Sequence, residues 1–228
     1  MPRSIPTRAA SVASGVSLQF ASLPQRTITA VVYGAVVLIA VFAPPIVFGA
    51  LLALAGVLGL RELVALRSAG VAVFAELAVL AVGLASLYFL RVLGEPPFVL
   101  TVTILAIWAA DIVAYLVGSA VGRRKIVPSV SPGKTWEGTF AGFAAAAVVV
   151  VLAATRGFGE VFAITTAASI GPSAFAGDLL ESWVKRRAGV KDSGALFPGH
   201  GGMLDRIDSL LAAAPVVALL LVLTRRMG

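Results

Sequence analysis

The chain has 228 residues, 59% of them hydrophobic and only 13% charged, with a mean hydropathy of +1.00. Too few charges are present to cover a water-soluble core of this size, so an ordinary soluble domain is excluded and a polytopic membrane protein remains. The lack of cysteine rules out disulfides, thiolate metal sites and cysteine nucleophiles, and one histidine rules out a multi-histidine zinc site. The net charge of +7 reads as loop charge rather than as a nucleic-acid surface.

Residues 1–26 contain Ser and Arg, no acid and no apolar run long enough for a signal-peptide core. They read as a disordered cytoplasmic tail, with an organellar targeting segment as the alternative. Seven apolar segments follow, at about 27–43, 46–64, 71–90, 98–121, 138–155, 161–177 and 209–224. Each is near the ~20 residues needed to cross a hydrocarbon core of ~30 Å. Pro44-Pro45 separates the first two, because proline lacks the amide and pushes its predecessor out of helix. The fold class is therefore all-α, a polytopic helix bundle of about seven transmembrane helices (range six to nine), with 27–228 forming one domain.

With the N-terminus inside, fourteen of the eighteen Lys and Arg fall in cytoplasmic stretches, leaving Arg91, Arg156, Arg225 and Arg226 on the other side. Both polar connections, 122–137 and 178–208, then face the cytoplasm. Glu76 and Asp111 are carboxylates inside apolar runs. Glu76 is close enough to the third span's start to reach the interface and reads as structural. Asp111 is deeper, and is open between a functional site and a buried structural hydrogen bond.

The polar passage 177–211 holds five of the eleven acidic residues, five of the eighteen basic ones and the histidine. Asp205 and Asp208, at i and i+3, project from one helix face and suit a hard divalent cation; Asp178 and Glu181 repeat the spacing. Oxygen-only ligands of this kind favour Mg²⁺ over zinc or copper. Lys185, Arg186, Arg187 and Lys191 bring the charge a polyphosphate needs, although a headgroup anchor accounts for their number equally well. The run Phe197-Pro198-Gly199-His200-Gly201-Gly202 lets backbone approach an anion closely, with His200 open between phosphate binding and a local hydrogen bond. Gly133-Lys134-Thr135 is not a P-loop, since Pro128 stands where the first glycine is required. No Gly-x-Ser-x-Gly elbow accompanies His200, which argues against a serine hydrolase.

Ser182-Trp183-Val184-Lys185-Arg186, Lys191-Asp192-Ser193-Gly194, Pro198-Gly199-His200-Gly201-Gly202 and Asp205-Arg206-Ile207-Asp208 together closely resemble the signature of phosphatidate cytidylyltransferases, or CDP-diacylglycerol synthases. The resemblance extends to Gly177-Asp178, to the loop Ser131–Gly138, and to Asp111 and Tyr115, and covers most of residues 105–211. The chain departs from that family by a compressed middle near 67–97 and fewer spans than typical members. The resemblance implies formation of CDP-diacylglycerol and pyrophosphate from CTP and phosphatidic acid, with Mg²⁺ and room for a second, monovalent ion. It implies an integral protein of a bacterial inner membrane, working at the cytoplasmic face on membrane lipid, without nucleic acid and with a homodimer left open. By similarity Asp178, Asp205 and Asp208 are metal ligands, with Asp205, Asp208 and Lys185 catalytic. Ser182, Arg186, Lys191, Asp192, His200, Gly201, Gly202, Arg206 and Lys134 are substrate-binding. Two rivals are a CTP-dependent kinase or cytidylyltransferase acting on another lipid, and a small membrane transporter.

Overall fold

In a computed structural model, residues 27–93, 96–194, 196 and 201–225 are described. Among the described residues seven α-helices carry the fold. We label them α1 (Thr27–Phe42), α2 (Pro45–Ala65), α3 (Ala72–Val92), α4 (Phe98–Val121), α5 (Trp136–Ala154), α6 (Glu160–Arg187) and α7 (Leu204–Arg225). The described residues contain no strand; an isolated bridge joins Lys125 and Thr135. The protein is an all-α polytopic membrane protein, as its composition requires. Five helices, α2, α3, α4, α5 and α7, are long and apolar enough to cross a membrane. α1 is apolar but shorter, and α6 is set apart by its polar C-terminal third.

Local sequence explains the breaks. Pro45 occupies the first turn of α2, where an amide would have no helical partner anyway. Between α2 and α3 a short 3₁₀ turn, Arg67–Ala69, ends on Gly70 at φ 68°, a conformation that glycine adopts without strain. Small residues decide which helices touch. A Cβ on Gly138 would stand 2.5 Å from Ala114 O, and one on Gly177 would stand 2.5 Å from Ala212 Cβ, so α4 with α5 and α6 with α7 pack backbone against backbone.

Two expectations need correction. The polar passage is not a loop from 178 onward: α6 continues to Arg187 and α7 begins at Leu204, so Asp178, Glu181, Ser182 and Lys185 stand on a helix. Charge ends a membrane helix only where it would face lipid, and these side chains face one another. Glu76 is likewise no interfacial carboxylate. It is 1% exposed, and its buried Oε2 has no hydrogen-bond partner.

The chain's polar ends collect at one end of the bundle. The α2–α3 turn, the α4–α5 connection and the α6–α7 connection meet there, tied by hydrogen bonds from Arg186 Nε to Val130 O and from Leu204 N to Glu62. At the opposite end Arg91 donates to Ala43 O, and Phe158 packs between Phe98 and Phe162.

Candidate active site

The α4–α5 connection is shaped before it meets the rest. Thr135 caps α5 by accepting from Gly138 N at 3.2 Å, and Glu137 reaches back to accept from Arg123 N and Arg124 N at 3.2 and 3.3 Å. Ile126 N donates to Lys134 O and Trp136 N donates to Arg124 O, so the segment doubles back on itself. Its tip thereby carries Lys134 to α6. There the ammonium pairs with Asp178 and lies 4.9 Å from the centre of the Phe175 ring.

Opposite this tip, Gly177 brings α6 against the first turns of α7, with Asp208 O among the atoms its missing Cβ makes room for. Asp208 is buried, and its Oδ1 accepts from Ser209 N at 2.6 Å. Asp178 and the deeper Asp111 stand within electrostatic range of it. Ser182 Oγ donates to Asp178 Oδ1 at 3.3 Å. One turn on, Lys185 lies between Glu181, at 2.5 Å, and Asp205. Asp205 Oδ2 also accepts from Ser193 N and Gly202 N at 3.0 and 2.7 Å, and Ser193 Oγ stands 2.9 Å from both Asp205 Oδ2 and Glu62 Oε2, so its single proton is shared between the two carboxylates. The equal spacings within 178/181 and 205/208 thus do not make two like pairs. Asp178 pairs with Lys134 and lies within electrostatic range of Asp208, while Glu181 and Asp205 share Lys185.

Glu181 and Lys185 lie beyond the apolar part of α6, and their titration reflects crowding. Burial first, and then Asp208, pushes the Glu181 carboxyl up to about 9, against the pull of Lys185. Burial works to lower Lys185, but the carboxylates of Glu181 and Asp205 outweigh it and hold the ammonium above its ordinary value.

These groups line a cavity of about 1210 Å³. Lys134, Asp178, Ser182, Lys185 and Arg186 reach it from the loop and α6. Lys191, Asp192 and Gly201 reach it from the α6–α7 connection, and Asp205, Arg206 and Asp208 from α7. Asp111 is on its wall as well, which favours the site reading of that residue. Gly202 stands behind the wall, donating to Asp205, and His200 lies outside the described residues. Arg186 has part of its guanidinium engaged, by Val130 O and Val190 O. Arg206 keeps a buried Nε without a hydrogen-bond partner. Deeper in, Phe143, Gly171 and Phe175 give the cavity an apolar wall at the level of the spans.

Sequence reasoning passed over two participants. Glu181 was noted only for its spacing, yet its Oε1 is buried without a partner beside the cavity. Glu62 sits in an apolar helix far from the polar passage, and accepts from Ser193 Oγ, Met203 N and Leu204 N. An acid so near the end of a predicted span was the available signal, but nothing local identifies its partners.

The fold and cavity define an integral membrane protein that keeps buried carboxylates and cations between apolar helices, open to an apolar wall. The sequence profile of the cytidylyltransferase family matches residues 68–224, and the chain belongs to that family. It is 46% identical over 142 residues to a phosphatidate cytidylyltransferase of Brucella abortus biovar 1 (strain 9-941), covering 59% of this chain and 51% of that protein. Against the protein of the same name from Pseudomonas aeruginosa it is 47% identical over 119 residues, covering 50% of this chain and 44% of the relative. The Haemophilus influenzae protein of that name is 46% identical over 127 residues, covering 52% and 43%. The chain spans about half the length of the relatives it matches.

Proposed function

We propose that this protein is a phosphatidate cytidylyltransferase, joining CTP to phosphatidic acid to give CDP-diacylglycerol and pyrophosphate. The observation that carries the reading is the cavity itself, which has carboxylates and cations at one end and an apolar wall at the other, as a water-soluble triphosphate and a membrane lipid together require. In the reaction a phosphate oxygen of phosphatidic acid attacks the α-phosphorus of CTP, the new P–O bond forms, and the bond to the bridging β-oxygen breaks. The attacking phosphate is already ionised near neutrality, so no strong base is required. Positioning and charge neutralisation carry the step. Lys134, Lys191, Arg206 and the unengaged part of Arg186 bring positive charge to the phosphates, while Ser182 and Asp192 line the same space.

Among the described residues no three Asp, Glu or His side chains converge closely enough to form a metal cage. Mg²⁺ does not require one, because it keeps several waters and is held by one or two carboxylates together with substrate phosphates. Asp208 fits that demand, and Asp178 joins it by releasing Lys134 or Ser182, which hold its two oxygens. Asp208 is buried and in no salt bridge among the described residues; Asp178 and Asp111 add negative charge nearby, and the pull of Lys185 is weaker than the push of either. Bound there, Mg²⁺ would neutralise charge on the phosphates and polarise the reacting phosphorus. Asp205 has both oxygens engaged by protein donors, so it becomes a ligand only by releasing Lys185 or a loop amide. The basic residues at the site end, among them Arg61, Arg123, Lys125 and Arg187, support a cytoplasmic orientation in a bacterial inner membrane.

The test is direct. Purified protein in detergent, given phosphatidic acid, CTP and Mg²⁺, should form a liponucleotide and pyrophosphate in equal amounts, with ATP a poor donor. Release of CDP with a single phosphate passed to a lipid alcohol would establish a kinase instead.

A further inference from the structure

The connection between α6 and α7 supplies Lys191, Asp192 and Gly201 to the cavity, and its described residues include no helix. Its two ends are nevertheless fixed. Ser193 Oγ donates to Glu62 Oε2 at 2.9 Å, and Met203 N and Leu204 N donate to the Glu62 carboxylate at 2.7 and 2.9 Å. One side chain on α2 therefore holds both the outgoing end of the connection and the first amides of α7. Asp205 performs the complementary task from within α7, taking Ser193 N and Gly202 N. Without these acceptors the opening amides of α7 would have no helical partner, and a partly buried helix start needs one.

The packing around Glu62 is close enough to be specific. A Cβ on Gly202 would lie 2.5 Å from each of its carboxylate oxygens, and one on Gly194 would lie 2.8 Å from Oε1. Both glycines thus admit the carboxylate where any side chain would expel it. A negative charge at a helix N-terminus is also favoured by the dipole of that helix.

We propose that Glu62 is a positioning residue, which sets residues 191–194 and 201–204 beside the cavity so that Lys191, Asp192 and Gly201 face the bound phosphates. The inference rests on the proposed cytidylyl transfer and adds to it a residue from an apolar helix, more than a hundred positions away in sequence from the segment it orders. Glu62 does not line the cavity, so it acts through the segment rather than on the substrate.

The experiment compares the full chain with Glu62→Gln, Glu62→Ala and, as a control at the opposite end, Glu160→Gln. Three quantities are measured: KM for CTP, kcat, and hydrogen exchange of the 193 and 202–204 amides. Glu62→Gln should raise KM for CTP by about tenfold or more, with kcat less affected and those amides exchanging faster, while the thermal midpoint stays near that of the parent. Glu62→Ala should go further in the same direction, and Glu160→Gln should change none of the three. Equal KM in Glu62→Gln and parent overturns the proposal, whether or not exchange changes. A loss of activity that only follows the folded fraction also overturns it, since that is a stability effect. A parent chain that makes no liponucleotide overturns the reaction itself and this inference with it, whereas an active parent matched by Glu62→Gln overturns the role of Glu62 alone.

Discussion

Lys134 and Asp178, forty-four positions apart, form the ion pair that closes the α4–α5 connection onto α6. The two side chains keep 21% and 31% of their surface exposed, so water screens the attraction and the pair contributes at most about 1 kcal/mol to stability. Its value is geometric. It brings an ammonium and a ring-stacked loop tip to the edge of the carboxylate cluster.

Lys134→Ala should therefore leave the thermal midpoint within a few degrees of the parent while CTP-dependent activity falls by about tenfold or more. Detergent thermal scans beside initial rates check this. A loss of activity that merely follows the loss of folded protein would show that the pair is only a fastener.

Orientation can be read with introduced thiols, because the chain has no cysteine. Ser129 and Lys191 are exposed on the two connections at the site end, and Arg156 is exposed between α5 and α6 at the other. Cysteines at the first two positions should react with an impermeant reagent only from the cytoplasmic side, and a cysteine at 156 only from the opposite side. Labelling of 129 and 191 from different sides would contradict the shared cavity.

The membrane helices were legible because an apolar run of some twenty residues has few destinations besides a bilayer, and because Pro44-Pro45 and the glycine after Ala69 break the chain for local steric reasons. What escaped was the end of α6. Asp178, Glu181, Ser182 and Lys185 look like residues leaving the membrane, yet each is partnered on a helix: Asp178 by Lys134 from the loop, Lys185 by Asp205 from α7. The cross-pairing of carboxylates was also invisible, because i and i+3 spacing shows which residues share a helix face but not which neighbour each meets. Glu62 illustrates the limit most plainly. Its partners Ser193 and Leu204 are 131 and 142 positions away, and only the packing of α2 beside α7's start brings them together.

Gly177 sets how near α6 and α7 can come. Alanine there would gain about 0.5–1 kcal/mol of helix preference, but its methyl would stand 2.5 Å from Ala212 Cβ and 2.6 Å from Asp208 O. Overpacking of that kind costs about 1–3 kcal/mol, so Gly177→Ala should be destabilised overall. Because the shift separates Asp178 from Asp208, activity should fall further than the folded fraction does. Parallel loss of the two would mean that the spacing of these carboxylates is unimportant.

The carboxylates make the last test the most discriminating. Asp208 is buried and forms no salt bridge among the described residues; Asp178 and Asp111 stand within electrostatic range, and the pull of Lys185 is weaker than the push of either, an arrangement that a bound cation would relieve. Asp208→Asn removes one of the repelling charges at nearly constant volume. In the presence of a chelator the variant should be as stable as the parent or more so. Mg²⁺ should raise the thermal midpoint of the parent, because it binds the folded state selectively, and should raise that of Asp208→Asn much less. Activity should drop by roughly 10²-fold or more, the scale that loss of a catalytic metal's charge stabilisation implies. Glu160→Gln removes the same charge from an exposed position at the far end of the bundle and should keep full activity and the full Mg²⁺ response. If Asp208→Asn instead lost stability in chelator and responded to Mg²⁺ as the parent does, the carboxylate would be a structural group and the metal would bind elsewhere.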